Sequence, residues 1–459
     1  MTPADPPEQQ LTIDPPASQW RDVLARSPVS ADVASRRALG LPEGGPIIVS
    51  GHQPGFWHAG VLAKRVALEA AAGTLDAAAA WLVVDQDAGE LPAIAHPVFD
   101  EGGRLQRDEY RFEPGGRFPA ETPTACQPRV RAPAVPDVRF SRALEQIRSA
   151  VEGAGGDDAA MQLAEANESL LRERAAVPRT RLIRATGLNR APAFAWWLER
   201  MNSDPGGCVE AYNAAAGAHP EAQVRPLIAT PKAGRYELPL WRVKPGEPRR
   251  VVYSVQLADI DPAELAPRAL LMTAMLRHGL CDLFIHGTGG GAYERVTEDW
   301  IQGWLGEPLA PVAVVTATRR LDVGVDYVSQ HEVARAEWTA HAARHNPSLL
   351  GDPGAAESKT RRLQEINAAK ASGDDPFPIF KDMHDALERT RARHEGHLQE
   401  LDARSARLRA SREDAAIAFD RTWPWPLHED HALRGLRSEI EAAFQPGRAA
   451  GPDRPRTSS

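Results

Sequence analysis

Two histidines and a glutamine crowd the short stretch GHQPGFWHAG, residues 51–60. His52 follows Gly51, where a bare backbone exposes it, and His58 stands where an alanine-rich helical pattern begins. Histidine is the side chain whose ordinary pKa suits proton transfer near neutrality. At a helix start the dipole holds it neutral, or it donates to an anion. Gln53 and Lys64 join these candidates as ligand-binding groups, although Lys64, six residues after His58, also reads as a solvated residue on another helix face. A second loaded segment is Asp85-Gln86-Asp87. Two carboxylates one residue apart hold Mg²⁺ with a phosphate, or fix the amine of an amino-acid-like substrate. With no dedicated metal ligands beside them, the amine is favoured and no metal is assigned. The third segment is His286 with Gly287, Gly289, Gly290 and Gly291. Such a run allows positive φ and turns backbone N–H groups toward an anion at the start of a helix. The plainer readings are polar loop histidines, strand-ending aspartates and a tight structural turn.

These residues need elements to bring them together. PIIVS (46–50) reads as a buried strand, VLAKRVALEAAA as a helix and AWLVVD (80–85) as a second strand. Farther on, CDLFIH (281–286) reads as a strand, AYERVTEDWIQGWLG as an amphipathic helix and PVAVVTAT (311–318) as a strand. Short apolar runs alternating with helical patterns predict βαβ units in a parallel sheet. In such sheets ligands bind beyond the carboxyl ends of the strands. All three loaded segments fall there, so His52, Asp85 and His286 should line one cleft.

The predicted fold is α/β, a Rossmann-like parallel sheet with a C-terminal helical hairpin of coiled-coil type. Residues 1–19 read as a flexible lead-in, 20–345 as the core with a helical insert around 139–216, 355–445 as the hairpin and final helix, and 446–459 as a disordered tail. Within the core, 236–257 reads as a β-hairpin turning at Pro245-Gly246. In the hairpin, 379–419 reads as one long helix. Its residues Leu387, His394, Leu401, Leu408 and Ala415 recur every seven positions as one seam. That seam should bury against 355–370 or a second copy.

Composition removes several classes. The chain has 459 residues, 42% hydrophobic and 25% charged, with a formal charge of −8, which does not suit a general nucleic-acid binder. Three cysteines, Cys126, Cys208 and Cys281, make neither a disulfide framework nor a thiolate zinc site. They point to a reducing compartment, and cytoplasmic location is expected. No apolar run approaches membrane-span length, and the start MTPADPPEQQ is not a signal peptide. HGTGGG is neither a P-loop nor G-x-G-x-x-G, and G-x-S-x-G and H-E-x-x-H are absent. The run His428-Glu429-Asp430-His431 reads as helix capping ahead of ALRGLRSEIEAAF.

In order and motif the chain resembles the cysteine-adding enzymes of bacillithiol biosynthesis. Their G-Q-Q-x-G turn is matched by Gly51, His52, Gln53 and Gly55, with histidine in place of the first glutamine. Their E-D-H-D run aligns loosely with Asp85, Gln86 and Asp87. Their R-P-L-x-Q-D…G-G-P-x-E-x-A-Y stretch is similar to Arg268–Tyr293, where HGTGGGAY stands in the second half. The resemblance implies a Rossmann-like core akin to class I nucleotidyltransferases, a coiled-coil element used in dimerisation, and a ligase or transferase acting on a small molecule. The HQP at the first turn is also similar to a WbqC-like family associated with surface polysaccharide loci, which implies a glycan-assembly transferase. A nucleotide with Mg²⁺ stays open as cofactor, as does a non-enzymatic ligand-binding or scaffold role.

Overall fold

The computed structural model describes residues 9–89 and 93–445. The tail assigned to 446–459 and the first eight residues lie outside that range. The chain divides into two units: one holds 9–96, 108–321 and 421–445, the other 97–107 and 322–420.

The first unit is mixed α/β around a mostly parallel sheet. Its strands are β1 (Gln10–Asp14), β2 (Ile47–His52), β3 (Ala78–Val83), β4 (Arg181–Arg184), β5 (Leu283–His286) and β6 (Val312–Thr318), in the order β1-β6-β5-β2-β3-β4. Only β1 is antiparallel. From β2 the chain winds outward through β3 to β4. It then returns to the other side of β2 as β5 and winds outward again to β6. The direction of winding therefore reverses between β2 and β5, where doubly wound sheets open a crevice.

The strands read as continuous apolar runs because both faces are covered. Ile47, Val49, Ala80, Leu82 and Phe284 share a cluster with Trp300 and Val296 of the helix Thr288–Leu305. The alternate residues Ile48, Trp81, Leu283 and Ile285 are equally buried and point the other way. They lie under α1 (Ala59–Leu75). The expected hairpin is present as Arg235–Arg242 against Arg250–Tyr253, with Gly246 at φ 75° in its turn.

Three expectations need correcting. Residues 10–14 are a strand and not a flexible lead-in, because Leu11 and Ile13 give QLTID enough β character to pair with β6 over five positions. The helical insert is not separate: its helices Ser141–Gly153, Ala159–Arg174, Pro192–Ser203 and Pro205–Ala218 flank β4, a four-residue strand too short to stand out as a pattern. The long helix predicted over 379–419 is broken at His394, which leaves helical geometry and sits 3.2 Å from Asp352.

The second unit thus contains the helices Gln330–Ala343, Pro353–Ser372, Phe377–Arg393 and Glu395–Ala418. Pro353–Ser372 pairs with Phe377–Arg393 around Ile366, Ile379, Met383 and Leu387. Glu395–Ala418 packs instead along Gln330–Ala343, with ion pairs Arg409–Glu337 and Arg344–Asp402. The seven-residue seam is divided between two partners. Among the described residues no helix is long and apolar enough to cross a membrane.

Candidate functional site

The turn after β2 is built by packing. Gly55 takes φ 141°, a conformation that favours glycine. Phe56 and Trp57 are buried, and the Trp57 ring meets Trp81 at 4.8 Å. His58 is the N-cap of α1: its Nδ1 accepts the Gly60 amide at 3.0 Å, and its carbonyl accepts the amides of Val61 and Leu62. The neutral ring must then carry its proton on Nε2. Gly60 is required here, since a β-carbon would come within 2.7 Å of both His58 Cε1 and Thr316 Oγ1. His58 therefore spends Nδ1 on the start of its own helix and not on a ligand.

The glycine run after β5 is not a loop. Gly287 is an extended N-cap and Thr288–Gly291 form the first turn of α2 (Thr288–Leu305). None of these glycines takes positive φ, so the expectation based on backbone freedom is corrected. Close packing explains Gly290 instead, because the His286 ring fills the place of its β-carbon. His286 Nδ1 accepts the Gly287 amide at 2.9 Å, and Nε2 lies 3.9 Å from Glu294 Oε1. Glu294 is buried against Arg277 at 2.6 Å. At Gly289 the space is open. The amides of Thr288 and Gly289 are first-turn donors that have no acceptor inside the helix.

Lys64 lies between these two turns. It is 4% exposed, its stem passes 3.9 Å from the β-carbon position of Gly287, and Nζ donates to Gly51 O at 2.8 Å. It is therefore not the solvated side chain its spacing allowed. Burial brings its pKa down to about 8. Burial also depresses the histidines, helped by the Lys64 charge: His52 falls to about 3 and His286 to about 4. His58 and His286 both act on His52 electrostatically. His52 Nδ1 faces Gln53 O at 3.4 Å.

The acidic pair divides. Asp85 is fully buried, and its oxygens are taken by Arg184 Nε at 2.6 Å, Thr186 N at 2.8 Å and Thr186 Oγ1 at 2.8 Å. It ties β3 to β4 and offers nothing to a ligand, which corrects its assignment as a reacting group. Asp87 stays partly exposed, joined to the first turn by Gln53 Nε2 at 3.0 Å and to Arg249 Nη1 at 3.2 Å.

His52, His58, Lys64, His286 and the Gly287–Gly291 turn thus meet at the carboxyl edge on both sides of the winding reversal, with Gln53 and Asp87 beside them. Among the described residues no group of three or more His, Cys, Asp or Glu is arranged to hold a metal. The His428–His431 run stands at a helix start as expected: Glu429 is the N-cap of Asp430–Phe444, through its carbonyl and not its side chain, and Asp430 in the first turn pairs with Arg174 at 2.8 Å. Just before it, Arg421 reaches Thr316 Oγ1 at 3.4 Å, bringing a guanidinium to the same edge. The sequence gives only the Trp-Pro-Trp-Pro run as a signal that this segment is pinned. No family model matches the chain, and no curated protein matches it either.

Proposed function

We propose that the protein is a Rossmann-like ligase or transferase that joins a small carboxylate or amino-acid-like group to an acceptor. One observation carries the reading: His52 and His286 flank the reversal between β2 and β5 and are held neutral above a buried lysine. An anionic group arriving beside Lys64 raises the basicity of both imidazoles, since an opposite charge favours the protonated form. Binding then prepares His52 to take a proton from the acceptor nucleophile, which attacks an acyl group activated as a mixed anhydride with phosphate and displaces that phosphate with the bonding electrons. The Thr288 and Gly289 amides face the anionic group beside Lys64. Asp87, held by Gln53 and Arg249, receives the substrate amine. His286 keeps the first turn of α2 in place through Gly287 and Gly290. The resemblance to bacillithiol cysteine-adding enzymes favours an amino acid as the incoming group.

The test is product formation by the full chain with amino acids and amino-sugar acceptors, with and without MgATP, followed by mass spectrometry. A condensed product lost in His52→Ala supports the reading. Full turnover in His52→Ala removes it, and products formed only from nucleotide sugars replace it with glycan assembly.

A second reading, association of two copies through the helical unit, is favoured by the exposure of Leu363, Phe377 and Phe380 on its helix pair. Sedimentation of wild type beside Phe377→Asp/Phe380→Asp decides it. A dimer that the double variant dissociates supports it, and a monomeric wild type ends it.

A further inference from the structure

Two cations reach the edge of the sheet from distant parts of the chain, and neither meets a carboxylate among the described residues. Buried arginines elsewhere in this unit end on acids: Arg36 on Asp282, Arg65 on Glu168, Arg174 on Asp430 and Arg277 on Glu294. That is the ordinary arrangement, because an unpaired charge is expensive to remove from water. Lys64 departs from it, and Arg421, which is half-buried, also has no acid partner among the described residues. Lys64 is more than nine-tenths buried and uses one N–H on a neutral carbonyl. The Arg421 guanidinium meets the Thr316 hydroxyl at a long 3.4 Å.

The placement of Arg421 is fixed by the chain that follows it. Trp423, Pro424, Trp425, Pro426 and Leu427 are all buried. Trp425 N donates to Trp57 O at 2.6 Å, Pro424 bridges to His58, and the Trp425 indole donates to Asn167 at 2.9 Å. This strap fastens Arg421 beside the turn that holds His58. Thr316 in turn adjoins Gly60, and Gly60 lies one helical turn before Lys64 on the same face of α1.

We propose that Arg421 and Lys64 are the charged contacts for a phosphate or diphosphate group of the ligand, with the Thr316 hydroxyl and the Thr288 and Gly289 amides as further donors. The proposal rests on the reading of this edge as a small-molecule site. Two full cations and three neutral donors exceed what the two oxygens of a carboxylate can use. They suit a group with three or more terminal oxygens and a charge near −2.

The experiment is calorimetric titration of the full chain with inorganic phosphate, pyrophosphate, ADP and, as the carboxylate control, acetate, all at one ionic strength. Stoichiometric binding of a phosphate species, weakened at least tenfold in Arg421→Ala and in Lys64→Met but unchanged in the surface variant Arg434→Ala, supports the site. Preference for pyrophosphate or ADP over phosphate assigns a diphosphate. Acetate binding as tightly as phosphate, or phosphate binding indifferent to Arg421→Ala, overturns it. Arg421→Ala decides alone if Lys64→Met does not fold, because Arg421 makes no ion pair among the described residues. Phosphate binding without condensed product removes the transferase reading and keeps this site. Product formation without phosphate binding does the reverse.

Discussion

The imidazole of His286 lies across Gly290 and fills the volume a β-carbon there would need. Gly289, one residue earlier, has nothing within 4 Å of the same position. Two identical substitutions should therefore have opposite signs. Gly289→Ala should be neutral or stabilise by up to about 1 kcal/mol, the ordinary gain of alanine over glycine in a helix. Gly290→Ala must displace the ring and should lose about 1–3 kcal/mol, as overpacking does. Urea denaturation of the pair checks this, and equal effects would mean that His286 does not occupy this position in solution.

His58 and His52 should also separate. His58 Nδ1 caps α1, so His58→Ala should lose about 1 kcal/mol, the usual value of an N-cap side chain. His52 is half-buried, with a 3.4 Å contact to Gln53 O and a ring contact to Trp57 at 6.0 Å, and should lose less than His58 does. Thermal melts of both variants read the difference. A large loss in His52→Ala would make that residue structural and deprive the site of its base.

Stability should fall in acid from an unusually early point. Half-buried His52 and His286 and buried His428 have native pKa values of about 3, 4 and 4, against 6.5 for an ordinary histidine. Between pH 6.5 and 4 the unfolded chain therefore takes up protons that the native one refuses. Stability drops as pH falls through that window, by at most about 1.4 kcal/mol per pH unit for each histidine. Lys64 adds a feature at the other end. Its native pKa of about 8 lies below the ordinary 10.5, so the unfolded chain again holds more protons and stability rises with pH between those values. Urea midpoints across pH, with Lys64→Met flattening the alkaline rise, are the measurement. A profile level down to pH 5 would show that these imidazoles titrate as if in water.

Asp85→Ala should lose about 3 kcal/mol, since it strips a buried acceptor from Arg184 and Thr186. Phosphate affinity should stay at the wild-type value in the folded fraction. Wild-type stability with lost turnover would return Asp85 to the chemistry.

The sheet was legible because its central strands are continuous apolar runs, and the residues that end β2 and β5 were legible as chemistry because strand ends are where such folds bind ligands. β1 and β4 were not, being short edge strands without a pattern of their own. Asp85 and Asp87 look alike in sequence, and only the position of Arg184 separates a buried brace from an accessible acid. The break at His394 lies two residues before Gly396, a signal easily passed over because that glycine sits inside the first turn of the next helix. Lys64 was misplaced by counting from His58, which is the cap, when Gly60 at i−4 was the relevant neighbour. Arg421 is far from the turn in sequence, and only tertiary pairing through Trp57 and Trp425 brings it there.

The bond from Trp425 N to Trp57 O joins a turn to a segment made much later in synthesis. A growing chain can close β2 against β3 and begin α1 long before that. The backbone partner of Trp57 and the guanidinium beside Thr316 arrive only once residue 425 has left the ribosome. A chain ending before residue 425 therefore carries His52 and His58 without the strap that holds their turn.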